Sequence, residues 1–455
     1  MRAVDQSLRV FLDDLKRTGD LHVVERAVDP RFELGAVLSL RRGGPAQLFR
    51  RVLGSELAVV GNVLNSRHRI ARGLGVEPGR VQPACLDALD HGLPPRVVND
   101  GAVHEVVFEG RVDIPTLLPV PTWFEKEAGP YITAGVILAK DPDTGRRNVS
   151  IARLLVLGGD RLMAGIAPTH HLSELARRAQ ARGRPLDIAV AIGNHPALLI
   201  ASQMYVDLGH DECDIAGRLL GEPLQLVRGR TVDLEVPAEA EIILEGTLHP
   251  EERIAEPQVS EFHGFYERYG PGQGVKIRAL TRRRDAIFQA IAPGAEPEHQ
   301  LLGATAIGAT TCRALRHVMP NVQQVFVTQG GMGRLHAIVT MAAPRPGEGK
   351  RAAMLALSHT NLLKLVIVVD DDVDPEDWRQ IEQALATRMR GERDILVMPG
   401  LKADRCEPQQ VDLTVTKVGI VATRQPGDRG DAGGLEAARA PDAVLERVRK
   451  ELESY

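Results

Sequence analysis

The sequence Asn148-Val-Ser-Ile-Ala-Arg-Leu-Leu-Val-Leu157 decides how the middle of this chain folds. Polar residues at 148 and 150 alternate with apolar residues at 149 and 151, which is the period of two that a β-strand with two different faces requires. Arg153 interrupts the run just before four aliphatic residues. An arginine in this setting either reaches solvent from an edge strand or is buried against a carboxylate or an anionic ligand. The segment alone supports both interpretations equally.

The runs on either side of this segment predict a curled or barrel-like sheet. Residues 133–140 form another strand-like run, and Asp141-Pro-Asp-Thr-Gly145 between the two has the composition of a tight turn. More strand-like runs follow, and one helix, expected at 171–182, interrupts the series. These further runs are 188–192, 198–202, 241–248 and 275–281. A strand-rich region with few helices is typical of a barrel or a strongly curved sheet.

The flanking regions alternate helices with strands, which predicts an α/β layer on each side of the barrel-like region. Apolar residues between Leu8 and Leu15 recur at the spacing of an amphipathic helix. In the last third, Asp374 offers an N-cap with Pro375 at the first helical position, so we expect a helix from there to Met389. The other expected elements are strands at 57–63, 322–328, 335–341 and 363–369, helices at 66–73, 351–358 and about 440–453, and a flexible link at 424–434.

The overall composition is that of a globular protein in a reducing compartment. Among 455 residues, 56 Lys and Arg oppose 60 Asp and Glu, a net charge of −4 that excludes nucleic-acid binding by bulk attraction. No stretch approaches about 18 consecutive apolar residues, so we expect no membrane span. Cys85, Cys213, Cys312 and Cys406 form no CxxC pair, which argues against a disulfide framework and a thiolate zinc site. We therefore predict a soluble, cytoplasmic protein with free thiols.

Asn148, His171 and Glu212 are candidate ligands for a hard divalent ion. Amide, imidazole and carboxylate donors suit Mn²⁺ or Mg²⁺ better than a thiolate zinc site does. Their wide separation in the sequence makes no local motif. A histidine at the position of His170 or His171, at the start of a helix, is more often a capping residue than a ligand, and Glu212 is also explained as a negative charge that the dipole of a helix N-terminus favours.

Glu256 and Glu261 are candidate proton-transfer groups. Pro257 prevents a regular helix from passing through this stretch, so a loop places both carboxylates. Paired acids near an arginine are the usual groups for proton transfer, because their surroundings can keep one ionised and the other protonated. A solvated acidic loop explains the same sequence equally well.

A glycine-rich turn, Gly330-Gly-Met-Gly333, follows the strand expected at 322–328. It lacks the GxGxxG spacing of a dinucleotide-binding turn, and no helical pattern follows it. The sequence therefore predicts no dinucleotide site there.

Five segments, in their order along the chain, resemble motifs of the UbiD-like decarboxylases. They are Asn148-Val-Ser-Ile-Ala-Arg153, Asp211-Glu-Cys-Asp-Ile-Ala-Gly-Arg-Leu-Leu-Gly-Glu222, Leu244-Glu-Gly-Thr-Leu248, Glu256-Pro-Gln-Val-Ser-Glu261-Phe-His-Gly264 and Lys417-Val-Gly-Ile420. The resemblance covers residues 5 to 425, approximately. It implies an α/β fold with an N-terminal α/β domain at 1–105, a central split β-barrel that binds a flavin at 106–305, and a C-terminal α/β domain at 306–455 that closes the active site and oligomerises.

The same resemblance implies the chemistry. Members of this family use prenylated FMN to decarboxylate, or reversibly carboxylate, aromatic, heteroaromatic or α,β-unsaturated acids. Loss of CO₂ from an sp² carbon leaves an electron pair that a cofactor has to accept. Arg153 would orient the substrate carboxylate, Glu256 would hold that arginine, and Glu261 would donate the proton that replaces CO₂.

Metal and cofactor ligands are also implied. Asn148, His171 and Glu212 would bind Mn²⁺ or Mg²⁺ next to the cofactor phosphate, with K⁺ nearby. The positions that would contact the flavin or its phosphate are Thr133, Ser150, Ile151, Ala152, Arg153, His170, Ser202, Gln203, Met204, Glu212 and Lys417.

This chain departs from the family pattern at a few positions. Val421 stands four residues after Lys417, where members often have aspartate. His170 and Gln203 occupy positions at which other members carry different polar residues. Their flavin contacts are therefore the least firmly implied of the set.

The resemblance implies partners as well. These are an unsaturated carboxylic acid, CO₂, a separate flavin prenyltransferase that supplies the cofactor, and further copies of the chain in a homodimer or homohexamer. Two alternatives remain at this point. A divalent-metal hydrolase would use the Asn148, His171 and Glu212 set with a metal-bound water as nucleophile, and a non-catalytic flavin-binding scaffold would need no catalytic acids.

Overall fold

The computed structural model describes residues 5–424 and 438–455, and it has the mixed α/β architecture that the sequence predicts. Its three largest sheets contain four, nine and five strands. Apart from Arg424, the link expected at 424–434 lies outside the described residues. None of the helices in the described ranges is long and apolar enough to cross a membrane.

The N-terminal region packs helices on a small sheet. Its helices are α1 Leu8–Arg17, α2 Glu33–Leu40, α3 Arg67–Gly73 and α4 Val81–Asp90, and its strands are β1 Leu21–Val24, β2 Ala46–Phe49, β3 Ala58–Gly61 and β4 Arg96–Val97. The hydroxyl of Ser7 caps α1 by accepting a hydrogen bond from the N–H of Val10 (3.4 Å). The predicted apolar face of α1, from Leu8 to Leu15, is buried.

The central region is rich in strands, as predicted. Its strands are β5 Val106–Glu109, β6 Tyr131–Ile132, β7 Val136–Lys140, β8 Arg147–Ile151, β9 Arg153–Gly158, β10 Arg161–Gly165, β11 Leu186–Ile192, β12 Gln225–Arg228, β13 Glu235–Pro237, β14 Ile242–Ile254, β15 Val259–Ser260, β16 Tyr266–Glu267, β17 Gly272–Arg282 and β18 Ile287–Gln289. Its helices are α5 Ile114–Leu117, α6 His171–Ala181, α7 Pro196–Ala201 and α8 Glu212–Leu220. The main sheet follows the order β6-β9-β10-β17-β14-β11-β7-β8, with β5 paired to β17.

The deciding segment, 148–157, forms two strands and not the single run that its pattern predicts. β8 pairs with β7 at one end of the sheet, whereas β9 lies between β6 and β10 at the other end. Only Ala152 separates β8 from β9, so the two ends of the sheet lie side by side and the sheet curls into a half-barrel. This confirms the expected split barrel and puts the polar residues of β8 at the split.

The strand expected at 198–202 is wrong, because most of this stretch belongs to helix α7. Pro196 is the first residue of the helix, and Nδ1 of His195 caps it by accepting a hydrogen bond from the N–H of Ala197 (3.1 Å). A short apolar run has no period that separates a buried strand from a buried helix, so the flanking proline and cap decide the structure.

The C-terminal region is a second α/β layer. Its helices are α9 Pro297–Val318, α10 Glu348–His359, α11 Trp378–Arg388, α12 Gly391–Asp394 and α13 Asp442–Lys450, and its strands are β19 Val322–Val327, β20 His336–Met341, β21 Leu365–Asp370, β22 Ile395–Lys402 and β23 Thr414–Ala422. The strands follow the order β19-β20-β21-β23-β22. The expected start of a helix at Asp374 is wrong, because Asp377 caps α11 through the N–H of Arg379 (2.9 Å). Asp374 instead accepts the N–H of Glu376 (2.9 Å) in the preceding turn.

One central strand completes the N-terminal sheet. β18 pairs in parallel with β3, in the order β1-β2-β3-β18. The chain therefore returns to the N-terminal region just before α9 begins. The domain boundaries near residues 105 and 305 stay predictions.

Candidate active site

A cavity of about 420 Å³ opens between the half-barrel and the C-terminal region. Cofactor and substrate sites typically have volumes of roughly 300 to 1,000 Å³. Leu362 and residues 404–406 complete the lining from the C-terminal side. Every residue predicted for the site lines this cavity except Glu256 and Lys417. The predicted residues that line it are Thr133, Asn148, Ser150, Ile151, Ala152, Arg153, His170, His171, Ser202, Gln203, Met204, Glu212 and Glu261.

Arg153, whose side chain is 17% exposed, lies against a carboxylate and does not reach out to solvent from an edge strand. Its Nε and Nη2 donate to the two oxygens of Glu256 at 2.8 and 2.5 Å, as a bidentate pair. Glu256 is itself buried and also accepts a hydrogen bond from the hydroxyl of Tyr131 (3.0 Å). A Cβ at Gly165 would lie 2.6 Å from Cζ of Arg153, so the bare backbone makes room for the guanidinium. These contacts fix the arginine and leave Nη1 free of Glu256.

Glu261 faces the same guanidinium and lines the cavity. Its Oε1 lies 4.0 Å from Nη1 of Arg153, and its Oε2 accepts a weak hydrogen bond from the N–H of Phe262 (3.3 Å). The carboxylate is carried by the loop between β15 and β16. The two acids therefore do not form a solvated acidic loop, and they differ from one another. Glu256 is fully engaged by its partners, whereas Glu261 has hydrogen-bonding capacity to spare.

Asn148 and Glu212 meet between β8 and α8. Nδ2 of Asn148 donates to Oε1 of Glu212 at 3.2 Å, and the N–H of Val149 donates to Oε2 at 2.7 Å. Glu212 begins α8 but is only 3% exposed, so it is not a solvated charge at a helix end. Burial raises the pKa of this carboxyl to about 8.

His171 is the first residue of α6 and lines the same cavity, where burial lowers its pKa. In the part of the chain that the structure describes, no three His, Cys, Asp or Glu residues are grouped so that they could hold an ion. Asn148, His171 and Glu212 line the same cavity, so they could together offer an amide oxygen, an imidazole and a carboxylate to a divalent ion.

Several residues that line this cavity carry buried polar atoms without hydrogen-bond partners. Among the described residues they are Oγ1 of Thr133, Oδ1 of Asn148, Oγ of Ser150 and Nδ1 of His170. A buried polar group left unpaired costs about 1 to 3 kcal/mol, so a ligand is expected to complete such a set. Hydroxyl and imidazole groups can donate to phosphate oxygens, and an amide oxygen can bind a cation. The atoms present thus fit a phosphate-bearing cofactor with a metal ion.

His170 occupies the N-cap position of α6, but its side chain makes no capping hydrogen bond. Interpreting it as a cap is therefore wrong. Burial lowers the pKa of His170 to about 4, so the imidazole is neutral at pH 7.

Lys417 is not among the residues that line the cavity. It is buried in β23, and its Nζ donates to the carbonyls of Leu357 (2.8 Å) and Thr360 (2.9 Å) at the end of α10. Burial lowers the pKa of this ammonium group to about 8. In this arrangement the lysine joins β23 to α10, and the geometry gives no support to its expected contact with the cofactor phosphate.

Several cavity residues were not identified from the sequence. The hydroxyl of Tyr131 contacts Glu256, and Oε1 of Glu127 accepts a hydrogen bond from Oγ of Ser260 (2.7 Å), next to Glu261. Arg334 and Arg405 reach the cavity from the C-terminal region. No local motif marks these residues, because distant segments bring them together. The one signal available was the glycine-rich turn that directly precedes Arg334.

Comparison with protein families covers most of the chain. The N-terminal domain of 3-octaprenyl-4-hydroxybenzoate carboxy-lyase (UbiD) matches residues 12–88, and its Rift-related domain matches residues 96–296. The C-terminal domain of the same enzyme matches residues 300–422.

Individual proteins agree with this assignment. The chain is 37% identical over 421 residues to anhydromevalonate phosphate decarboxylase of Methanothermobacter thermautotrophicus, which covers 91% of this chain and 96% of that protein. The UbiD-class enzyme HmfF from Pelotomaculum thermopropionicum, solved in complex with FMN, is 38% identical with a TM-score of 0.91, covering 99% and 100% of the two chains. An evolved dimeric form of HmfF in complex with prFMN is 38% identical with a TM-score of 0.87, covering 96% and 98%. The resemblance inferred from the motifs is thus confirmed, and this chain belongs to the UbiD family of carboxy-lyases.

Proposed function

We propose that this protein uses prenylated FMN to decarboxylate, reversibly, an aromatic, heteroaromatic or α,β-unsaturated carboxylic acid. The observation that carries the proposal is the arrangement of Arg153, Glu256 and Glu261. A guanidinium locked on one acid presents its remaining nitrogen to a second acid at the wall of a cavity. Such a set can bind a carboxylate and deliver a proton next to it.

Glu256 and Glu261 have different roles in the proposal because their surroundings differ. Both oxygens of Glu256 accept hydrogen bonds from Arg153, and Tyr131 adds another, so this acid positions the arginine. Nη1 of Arg153 is then the nitrogen available to orient the substrate carboxylate. Glu261 lies 4.0 Å from that nitrogen at the wall of the cavity, so the proposal assigns the proton transfer to this acid.

Prenylated FMN, when bound, supplies the electron sink for the pair released when the bond to CO₂ breaks. The protein groups do the rest. Arg153 holds the carboxylate until it leaves as CO₂, and Glu261 gives its proton to the carbon that carried it. The new C–H bond replaces the C–C bond that breaks, and Glu261 is left ionised until it takes up a proton again.

The unpaired polar atoms at the split of the barrel support a cofactor phosphate at that end of the cavity. In the proposal, Asn148, His171 and Glu212 hold Mn²⁺ or Mg²⁺ against this phosphate, with K⁺ nearby. The prFMN complex of HmfF supports the flavin cofactor. A flavin prenyltransferase would supply the cofactor, and a homodimer or homohexamer would be the working form. The name of the relative from Methanothermobacter thermautotrophicus, anhydromevalonate phosphate decarboxylase, makes a phosphorylated acid one of the substrates to test.

The test is the Glu261→Gln variant, produced together with a flavin prenyltransferase. CO₂ release from a panel of unsaturated acids should fall by about 10²- to 10⁴-fold, the usual contribution of a general acid, while the flavin spectrum stays that of the wild type. Glu251→Gln is the matched control, because this glutamate of β14 is 53% exposed and lies outside the cavity lining. A Glu261→Gln enzyme that retains turnover within a few-fold of wild type would remove Glu261 as the proton donor.

A further inference from the structure

Arg334 lines the cavity without a role in the chemistry described above. Two nitrogens of Arg153 donate hydrogen bonds to Glu256. The guanidinium of Arg334, in contrast, forms no ion pair with any carboxylate of residues 5–424 or 438–455. A half-buried guanidinium without a counter-charge carries an unfavourable desolvation free energy, and an anionic ligand bound next to it stabilises it.

The chain is built to place this guanidinium at the cavity. The glycine-rich turn 330–333 delivers Arg334 to the wall, and a Cβ on Gly303 of α9 would overlap its Nη1. In this arrangement the guanidinium packs directly on the backbone of Gly303, with no side chain between them. Cζ of Arg334 also lies 5.1 Å from the ring centroid of Phe262, as a cation–π contact.

Groups near Arg334 leave its charge available. His299 donates through Nδ1 to the carbonyl of Gly294 (3.1 Å), and burial lowers its pKa to about 3, so it is neutral. One carboxylate of this wall, Asp404, already accepts hydrogen bonds from the N–H (3.2 Å) and Sγ (3.0 Å) of Cys406.

The contact with Phe262 places Arg334 near the reacting end of the cavity, because Phe262 directly follows Glu261. Arg405 is different. Its guanidinium lies 4.2 Å from the ring centroid of Tyr269, a ring that Arg153 also contacts at 5.3 Å, and its charge acts on His170, which belongs to the predicted cofactor set. Of the two arginines, Arg334 is the one that contacts the residue next to Glu261 and, within the described residues, has no such link to the predicted cofactor set.

We propose that Arg334 binds a second anionic group on the substrate, a carboxylate or a phosphate ester that is separate from the carboxylate lost as CO₂. This inference rests on the proposed function and narrows its substrate class to dianionic unsaturated acids. Arg153 and Arg334 then hold the two charged ends of one molecule.

The test uses enzyme that carries its prenylated flavin and compares two substrates that differ by one anionic group. Anhydromevalonate phosphate is paired with anhydromevalonate, and benzene-1,4-dicarboxylate with benzoate. Arg334→Met should lower kcat/KM for the dianionic member of the productive pair by about 10- to 100-fold, the usual worth of a charged hydrogen bond, and leave the monoanionic member within about three-fold. Arg334→Lys should recover part of the loss, because it restores the charge without the planar fork.

Arg31→Met is the matched control. Arg31 also stacks on a phenylalanine, with its Cζ 5.2 Å from the ring centroid of Phe32, and it is exposed and outside the cavity lining. Equal losses on both members of a pair in Arg334→Met would overturn the proposal. Loss of bound flavin in this variant would also overturn it, because Arg334 would then serve the cofactor phosphate.

A binding measurement separates this inference from the proposed function. Loaded wild-type enzyme that releases CO₂ from no acid contradicts the proposed function. Calorimetric titration of the same loaded protein with inorganic phosphate still decides on Arg334. Binding that weakens about 10-fold or more in Arg334→Met, and not in Arg31→Met, supports an anion subsite. Equal phosphate binding by wild type and Arg334→Met overturns it.

Discussion

Glu212 and Glu298 are two buried glutamates with the same local chemistry. Each lies at the start of a helix, Glu212 as the first residue of α8 and Glu298 as the second residue of α9. Each accepts a backbone N–H at 2.7 Å, from Val149 and Leu64 respectively. Burial raises the pKa of both, to about 8 for Glu212 and to about 7 for Glu298.

Glu212 and Glu298 differ in what surrounds them. Glu212 faces the cavity, beside the unpaired amide oxygen of Asn148 and the unpaired hydroxyl of Ser150. Glu298 does not line the cavity; it joins α9 to the chain that follows β3, near the charge of Arg69. A carboxyl group with a raised pKa therefore does not by itself identify a functional site. The functional site is identified by the neighbouring residues that line a cavity and carry polar atoms without hydrogen-bond partners.

The largest expected effect is loss of cofactor from Glu212→Ala. Removing one of the proposed metal ligands should lower bound flavin by at least 10-fold in protein made with a flavin prenyltransferase, since even indirect partners of metal ligands are worth about 10- to 100-fold in affinity. The measurement is the ratio of flavin absorbance to protein after gel filtration. Flavin bound at the wild-type ratio would contradict the role given to Glu212.

Glu298→Ala is the counterpart and should show the opposite pattern. It leaves the N–H of Leu64 without an acceptor, which costs about 1 to 3 kcal/mol, so the urea midpoint for unfolding should fall. The flavin-to-protein ratio of the folded fraction should stay that of the wild type. A variant that lost flavin and kept its stability would erase the distinction between the two glutamates.

A smaller effect is expected in the pH dependence of stability. Glu298 titrates near 4.5 when unfolded and near 7 when folded. Between these values the folded protein holds more protons at this site, so its contribution to stability is full below about pH 4.5 and declines as the pH rises towards 7. Glu298→Gln lacks this decline.

The check is the urea midpoint of wild type and Glu298→Gln at about pH 5 and pH 7.5. The variant should gain on the wild type as the pH rises, and other titrating groups cancel in the difference. A constant difference across the range would show that Glu298 has the same pKa in both states.

Much of the fold could be predicted from the sequence because its signals are local. The helical spacing from Leu8 to Leu15 predicts α1, and the alternation at 148 and 150 predicts a strand with a polar face. The resemblance to the UbiD-like decarboxylases predicts which residues share the cavity, since nearly all of the predicted set lines it.

The remaining features depend on contacts between distant segments. The apolar run 198–202 has no period that distinguishes strand from helix, and the cap at His195 decides it. Lys417 donates hydrogen bonds to the carbonyls of Leu357 and Thr360, and no local sequence pattern predicts these contacts. Arg334 lines the cavity with its guanidinium packed on the backbone of Gly303 in α9, a contact between segments about 30 residues apart. Sequence spacing cannot supply such juxtapositions.

The most direct test of the central claim is the intact mass of the cofactor released from this protein after production with a flavin prenyltransferase. The account predicts the mass of prenylated FMN, together with a divalent metal in the same sample, and CO₂ release from unsaturated acids by that preparation. Protein that carries a metal but no flavin would contradict it, and would show that the cavity at the split of the barrel serves another chemistry.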